Sequence, residues 1–253
     1  MGTYVITGGA SGIGAAVKQQ LESEGHNTVI VDIRDADVIA NLATDEGRGS
    51  AIESLTKIAE HGLDGFVACA GVGSHLPDRA LITEVNYYGT INLIEGLRGV
   101  LAKNGTPVVL ISSNSAPQPT DQCFVDALLN GDKTAALELA EGMQSQPVYS
   151  GTKQAMTRWM RRNTQSYAAL GVRMNAVAPG YTQTPLSAAV ENDPTYGDAI
   201  RQFIDTIPVG RPGQAQDMAN AVSYLLSDKA SFVCGSMLFV DGGHDALHRP
   251  DQF

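Results

Sequence analysis

Cysteine is scarce in this chain of 253 residues. Cys69, Cys123 and Cys234 stand far apart with no CxxC spacing, which argues against a disulfide framework and a zinc site and predicts reduced thiols. The five histidines are equally dispersed, and no HExxH motif occurs, so no metal site is predicted. Positive charge is short as well. With 17 Lys and Arg against 27 Asp and Glu, the formal net charge of −10 excludes a nucleic-acid surface, which needs clustered cations, and is better suited to solubility. No apolar run approaches the roughly 18 residues that a membrane span requires. Met1 leads almost directly into an apolar strand with no basic n-region, and Ile6 stands where a myristoylation signal needs Ser or Thr. A cytoplasmic protein with no membrane or nucleic-acid partner is expected.

What is present, 43% apolar and 17% charged residues, describes a globular chain with room for one large α/β domain or two small ones. Residues 3–7 read as a buried strand, and they run into Thr7-Gly8-Gly9-Ala10-Ser11-Gly12-Ile13-Gly14 and then a helical stretch. Strand, glycine loop, helix is the context of a phosphate cradle: Gly8 for the reversal, Gly12 for close backbone approach and Gly14 for helix packing, with the helix amides facing an anion. A second strand, 27–31, ends at Asp32, 24 residues after Gly8, where a dinucleotide fold places an acid on the ribose hydroxyls. A carboxylate there repels a 2′-phosphate and favours NAD over NADP. Arg34 stands two positions on, either as a phosphate partner or as a solvated charge beside Asp35 and Asp37.

A helix is expected over 45–59, then a strand over 63–68 that enters the small-residue turn Cys69-Ala70-Gly71. Residues 81–101 read as largely helical and carry Asn86, a lone amide among apolar neighbours that is either a structural bridge or part of a site. The strand 107–111 ends in Ser112-Ser113. From 114 to 147 the pattern is irregular, with amphipathic stretches at 124–129 and 133–143, and it reads as a small helical insertion lying over the site. Tyr149 and Lys153 then share one face of a helix over 149–170, so that an ammonium stands near a phenol. On its own that pair also occurs on solvated helix faces. A nearby cation favours the phenolate, which would make Tyr149 an acid/base near neutral pH. A strand over 172–177 leads into Pro179-Gly180-Tyr181-Thr182, the polar run 186–207 reads as a lid, and a helix and strand close the chain over 216–227 and 236–240. Alternating strands and helices without a linker or repeat predict a single domain over 1–253, a doubly wound parallel sheet of Rossmann type.

In this order and spacing the glycine loop, Ala70-Gly71, Asn86, Ser113, Tyr149–Lys153 and Pro179-Gly180 resemble the short-chain dehydrogenase/reductase family over the whole chain. The resemblance implies a catalytic tetrad of Asn86, Ser113, Tyr149 and Lys153. In it Tyr149 exchanges a proton with the substrate oxygen, Ser113 hydrogen-bonds that oxygen, Lys153 lowers the tyrosine pKa and holds the nicotinamide ribose, and Asn86 holds a relay water. It also implies NAD contacts from Gly8, Ser11, Gly12, Ile13, Gly14, Asp32, Ile33, Asn41, Leu42, Ala70, Gly71, Tyr149, Lys153, Pro179, Gly180 and Thr182. Three departures stand out. Cys69 replaces the family's usual Asn, and the run from Ser113 to Tyr149 is much longer than usual. Asn41 occupies a position where Asp is expected at the adenine edge. The long run, the segment after Asp32, residues 41–44 and the ending 249–253 resemble the bacterial 3α-hydroxysteroid dehydrogenase/carbonyl reductase subgroup, in which the insertion obstructs tetramer formation and a homodimer is implied. The expected activity is interconversion of a secondary alcohol and a ketone on an apolar, alicyclic or steroid-like substrate. The alternatives are a catabolic dehydrogenase of a cyclic alcohol, dihydrodiol or aromatic carbonyl, and a dinucleotide sensor without catalysis.

Overall fold

A computed structural model describes residues 1–185, 187 and 197–252. Seven parallel strands form one sheet, in the order β3-β2-β1-β4-β5-β6-β9. They are β1 (Thr3–Thr7), β2 (Asn27–Asp32), β3 (Val38–Ile39), β4 (Gly65–Ala68), β5 (Val108–Ile111), β6 (Met174–Pro179) and β9 (Met237–Val240). The two-residue strands β7 (Thr182–Gln183) and β8 (Gly213–Gln214) pair separately. Every residue of β4, β5 and β6 is buried, as expected of parallel strands covered on both faces, and this is why they read as unbroken apolar runs. Truncation there, Leu110→Ala for instance, removes about 2–5 kcal/mol of packing.

The helices divide between the two faces and give the chain two apolar clusters. On one side, α1 (Gly12–Ser23) packs against α10 (Ala215–Leu226), closing Val17, Leu21, Val222 and Leu225 onto Ile6, Val67 and Val109. On the other side lie α2 (Asp45–Ile58), α3 (Arg79–Thr83), α4 (Gly89–Gly96), α5 (Arg98–Asn104) and the long α8 (Ser145–Ala168). Between β5 and α8 come α6 (Gln122–Leu129) and α7 (Lys133–Glu141), each started by an aspartate: Asp121 accepts from the amides of Cys123 and Phe124, and Asp132 from Ala135. Helix α6 packs on α8, where a side chain at Gly151 would strike the Phe124 ring, and α7 packs on α3. The remaining helices are α9 (Gly197–Asp205) and α11 (His244–His248).

Two differences from the sequence expectations have local causes. The helix expected over 81–101 is interrupted: Glu84–Tyr88 is a π-helical turn and Leu97 departs from helical geometry between α4 and α5. Wide turns of this kind are frequent at functional sites, and this one contains Asn86. Second, α8 begins at Ser145, so Tyr149 lies a full turn inside the helix and its backbone is held on both sides. Of the expected lid over 186–207, residues 186 and 188–196 lie outside the described residues. Within the described part, Phe203 of α9 packs on the rings of Tyr181 and His244.

Candidate functional site

The carboxyl ends of five adjacent strands converge on one edge, the place where open α/β sheets bind ligands. After β1 the chain reverses at Gly8, whose φ of 70° is left-handed, and a Cβ there would lie 2.7 Å from the Ala70 Cα. A Cβ on Gly14 would overlap the Gly8 carbonyl oxygen, so α1 can start this close to the turn only with glycine. Ser11, Gly12 and Ile13 form the first residues of that start, with Gly12 at a φ of 56°. Bare backbone, a left-handed turn and the first amides of a helix make a cradle that fits the pyrophosphate of a dinucleotide.

At the end of β2, Asp32 has both carboxylate oxygens engaged: Ala10 N donates to Oδ2 at 3.1 Å and Ile33 N to Oδ1 at 2.7 Å. The carboxylate therefore ties the glycine turn to the neighbouring strand as well as standing where a ribose would lie. Ile33 and Arg34 are exposed. Asn41 is exposed and accepts from Ala43 N at 3.0 Å, whereas Leu42 is buried. Beyond β4, the amides of Cys69 and Ala70 both donate to Thr7 Oγ1, at 3.1 and 3.0 Å. Burial pushes the Cys69 thiol up to about 12, which leaves it an unreactive thiol.

Gly71 packs beside two of the expected site residues, since a Cβ there would lie 3.2 Å from Asn86 Oδ1 and 3.7 Å from Lys153 Nζ. Asn86 is fully buried, and its amide clamps one residue: Oδ1 accepts from Val72 N at 2.8 Å and Nδ2 donates to Val72 O at 3.0 Å. The clamp makes this side chain a structural bridge that holds the Gly71 turn beside Lys153.

Ser113 Oγ accepts from Ser115 N at 3.1 Å and from Ser115 Oγ at 3.0 Å. It also interacts with the Tyr149 hydroxyl. Burial raises the phenol's pKa above its ordinary value, and the Ser113 hydroxyl draws it partly back. Lys153 is buried, with Nζ 2.8 Å from the Ile111 carbonyl and 5.8 Å from the Tyr149 ring centroid. Its pKa is lowered to about 8 by desolvation, the Cys69 site opposing. The amine is thus still mostly charged at neutral pH. At the end of β6, a Cβ on Gly180, just after Pro179, would lie 2.6 Å from Asp241 Cβ, and Thr182 Oγ1 donates to Gly180 O at 3.0 Å.

The residues expected from sequence fall in two groups along the sheet: Gly8, Ser11, Gly12, Ile13, Gly14, Asp32, Ile33, Asn41 and Leu42 follow β1, β2 and β3, and Ala70, Gly71, Asn86, Ser113, Tyr149, Lys153, Pro179, Gly180 and Thr182 follow β4, β5 and β6 or lie on the helices beside them. Sequence reasoning missed Thr7 as the acceptor that shapes the second turn, although a hydroxyl as the last residue of a buried strand was a visible signal. His244 is buried beside Asn114. No helix among the described residues is long and apolar enough to cross a membrane.

The family described as enoyl-(acyl carrier protein) reductase matches residues 133–245. The chain is 39% identical, over the full length of both, to a 3-alpha-hydroxysteroid dehydrogenase/carbonyl reductase of Comamonas testosteroni. It is 32% identical to a cis-4-hydroxycyclohexanecarboxylate dehydrogenase of Sinomonas cyclohexanicum, over 96% of each chain. Among solved structures, the 3-alpha-hydroxysteroid dehydrogenase of Pseudomonas sp. B-0831 complexed with NADH superposes with a TM-score of 0.95 at 42% identity, covering 99% of this chain and 100% of that one.

Proposed function

The chain belongs to the short-chain dehydrogenase/reductase family, and from that premise we propose how its site works and on what. It is a nicotinamide-dependent oxidoreductase that interconverts an alcohol and a ketone. The observation that carries the mechanism is the meeting of Tyr149, Ser113 and Lys153 at the sheet edge beside a glycine cradle. When bound, the dinucleotide carries the hydride that is added to or taken from the substrate carbon. The Tyr149 hydroxyl gives the substrate oxygen its proton, or takes it, while the Ser113 hydroxyl donates a hydrogen bond that stabilises charge on that oxygen. The Lys153 ammonium holds the nicotinamide ribose and favours the phenolate. Asn86 keeps the Gly71 turn in place and thereby leaves room for the Lys153 amine, in addition to the relay-water role that the resemblance implies.

The cofactor is NAD: the Asp32 side chain stands at the end of β2 with both oxygens accepting from backbone amides, where it would crowd a 2′-phosphate. The substrate is a secondary alcohol or ketone on an apolar alicyclic or steroid-like frame, a reading supported by relatives named for hydroxysteroid, hydroxycyclohexanecarboxylate and cyclohexanol substrates. The quaternary state is a homodimer. Edge strand β9, with Leu238 exposed, and the fully exposed Phe232 support an assembly that covers this side.

The test is a panel of hydroxysteroids, cyclohexanols, dihydrodiols and their ketones, followed by nicotinamide absorbance with NAD(H). Turnover of ring alcohols is expected. Tight NADH binding without turnover of any of them would instead identify a sensor, and light scattering at the mass of a monomer or tetramer would overturn the dimer.

A further inference from the structure

Arg48 is the largest side chain in the fully buried set, at 2% exposure, and it is a cation. Its signal in the sequence was positional: Arg48, Ala51 and Leu55 share the face of α2 that turns to the core. Nη1 donates to the Leu42 carbonyl at 2.8 Å and to Glu84 Oε2 at 3.0 Å, and Nη2 pairs with Asp45. Lys133, the first residue of α7, completes the cluster. Its Nζ lies 2.8 Å from Glu84 Oε1 and 3.3 Å from Asp45 Oδ1, and 5.4 Å from the Tyr88 ring centroid. Two cations and two carboxylates therefore neutralise one another, with each Glu84 oxygen held by a different cation.

As a stabilising device this is a poor one. Desolvating charges opposes the attraction between them, and among the described residues Arg48 Nε and the buried Tyr88 hydroxyl have no hydrogen-bond partner. What the cluster does join is informative. Leu42 belongs to the adenine side, where its backbone passes between two glycines. A Cβ on Gly47 would overlap the Asn41 carbonyl oxygen, and one on Gly89 would lie 3.2 Å from Leu42 Cβ. Glu84 opens the π turn that carries Asn86 and hence the Gly71 clamp. Lys133 belongs to the segment between Ser113 and Tyr149 that is longer than usual in the family.

We infer that Arg48 and Lys133 are positioning residues through which this segment sets the adenine side of the dinucleotide site. Arg48 grips the Leu42 carbonyl, and Lys133 holds the shared carboxylates so that the guanidinium stays aimed at it. Loss of Lys133 leaves Asp45 and Glu84 competing for Arg48 alone, which draws the guanidinium from Leu42 and loosens the 41–42 backbone. The effect is on affinity for the adenine half and not on the proton chemistry at Tyr149, 16 residues away in sequence. This inference rests on the nicotinamide-cofactor reading given above.

The experiment compares wild type, Lys133→Met and Lys133→Arg by calorimetric titration with NADH and with AMP, together with KM for NAD, kcat and Tm. Lys133→Met should weaken NADH and AMP by the same factor, at least about fivefold, the lower end of usual coupling between distinct sites. KM for NAD should rise in parallel while kcat stays within about twofold, and Lys133→Arg should restore both affinities. Unchanged NADH and AMP affinity in Lys133→Met, even with a lowered Tm, would reduce the cluster to a structural one and overturn the inference. So would a loss of NADH affinity that AMP does not share, or one that Lys133→Arg fails to restore. Wild-type protein that bound neither ligand would overturn the cofactor reading itself, and with it this inference.

Discussion

The buried Lys153 should cost the unliganded protein stability, and the cost should depend on pH in a defined window. Lys153 is buried with a pKa lowered from 10.5 to about 8, chiefly by desolvation. Between those two values the unfolded chain binds more protons at this residue than the folded one, so stability rises with pH through the window and the penalty is full below about 8. The drop corresponds to about 3 kcal/mol at neutral pH, as an upper bound. Lys153→Met keeps the apolar stem and removes the charge. It also leaves the Ile111 carbonyl without the donor it now has at 2.8 Å, which costs about 1–3 kcal/mol. The net change at pH 7 is therefore small, between about 0 and 2 kcal/mol in favour of the variant. Its pH dependence is the sharper quantity, because the orphaned carbonyl does not titrate. Between pH 7 and 9.5, wild type should gain about 2 kcal/mol relative to Lys153→Met. Urea unfolding of both apoproteins across that range, at fixed ionic strength, measures it. A difference between the two that stays flat with pH would refute the argument, and would mean that the folded protein hydrates the Lys153 amine.

Other consequences follow from single positions. Gly14→Ala should abolish NADH binding and lower Tm, since the added methyl overlaps the Gly8 carbonyl, whereas Gly49→Ala, which meets nothing within 4 Å on α2, should stabilise by about 0.5–1 kcal/mol with unchanged kinetics. Comparing the two melting curves and NADH titrations separates a cradle from an ordinary helical glycine. Asp32→Ala should shift the NADPH-to-NADH ratio of kcat/KM by at least about tenfold, the equivalent of 1.4 kcal/mol of relieved repulsion. A ratio that does not move would show that Asp32 serves only the Ala10 and Ile33 amides. Asn86→Leu should lower kcat and Tm together, because the Val72 clamp is lost and the half-buried amide and carbonyl of Val72 lose the side chain that pairs with both. A change in kcat with Tm unmoved would point to the relay water alone.

Much of this site was legible because its spacing is dictated by backbone geometry. A phenol and an amine four residues apart on a helix face one way, a glycine turn between strand and helix has few other uses, and polar residues at the ends of apolar strands fall on one sheet edge. The parallel order of the strands followed from the same alternation. What was hidden depends on contacts that sequence distance does not encode. The clamp between Asn86 and Val72 is set by a π turn, and nothing local in Glu84–Tyr88 announces an extra residue per turn. Arg48 hides in an apolar stripe, and its partners Glu84 and Lys133 come from separate elements. The phenol's surroundings were only partly legible for a physical reason: spacing places Lys153 beside Tyr149, but only the packing shows that its Nζ turns to the Ile111 carbonyl and that burial of the phenol acts on it as well.

The central claim is that Tyr149 moves the proton, and one comparison addresses it most directly. NADH-dependent reduction of a ring ketone is followed for wild type and Tyr149→Phe, with NADH affinity measured on the same preparations. The phenyl ring fills the same space and leaves the cradle untouched. The account predicts that kcat falls by about 10²–10⁴, the usual contribution of a positioned acid/base, while NADH affinity changes by less than about twofold. Turnover in Tyr149→Phe at the wild-type rate would contradict it.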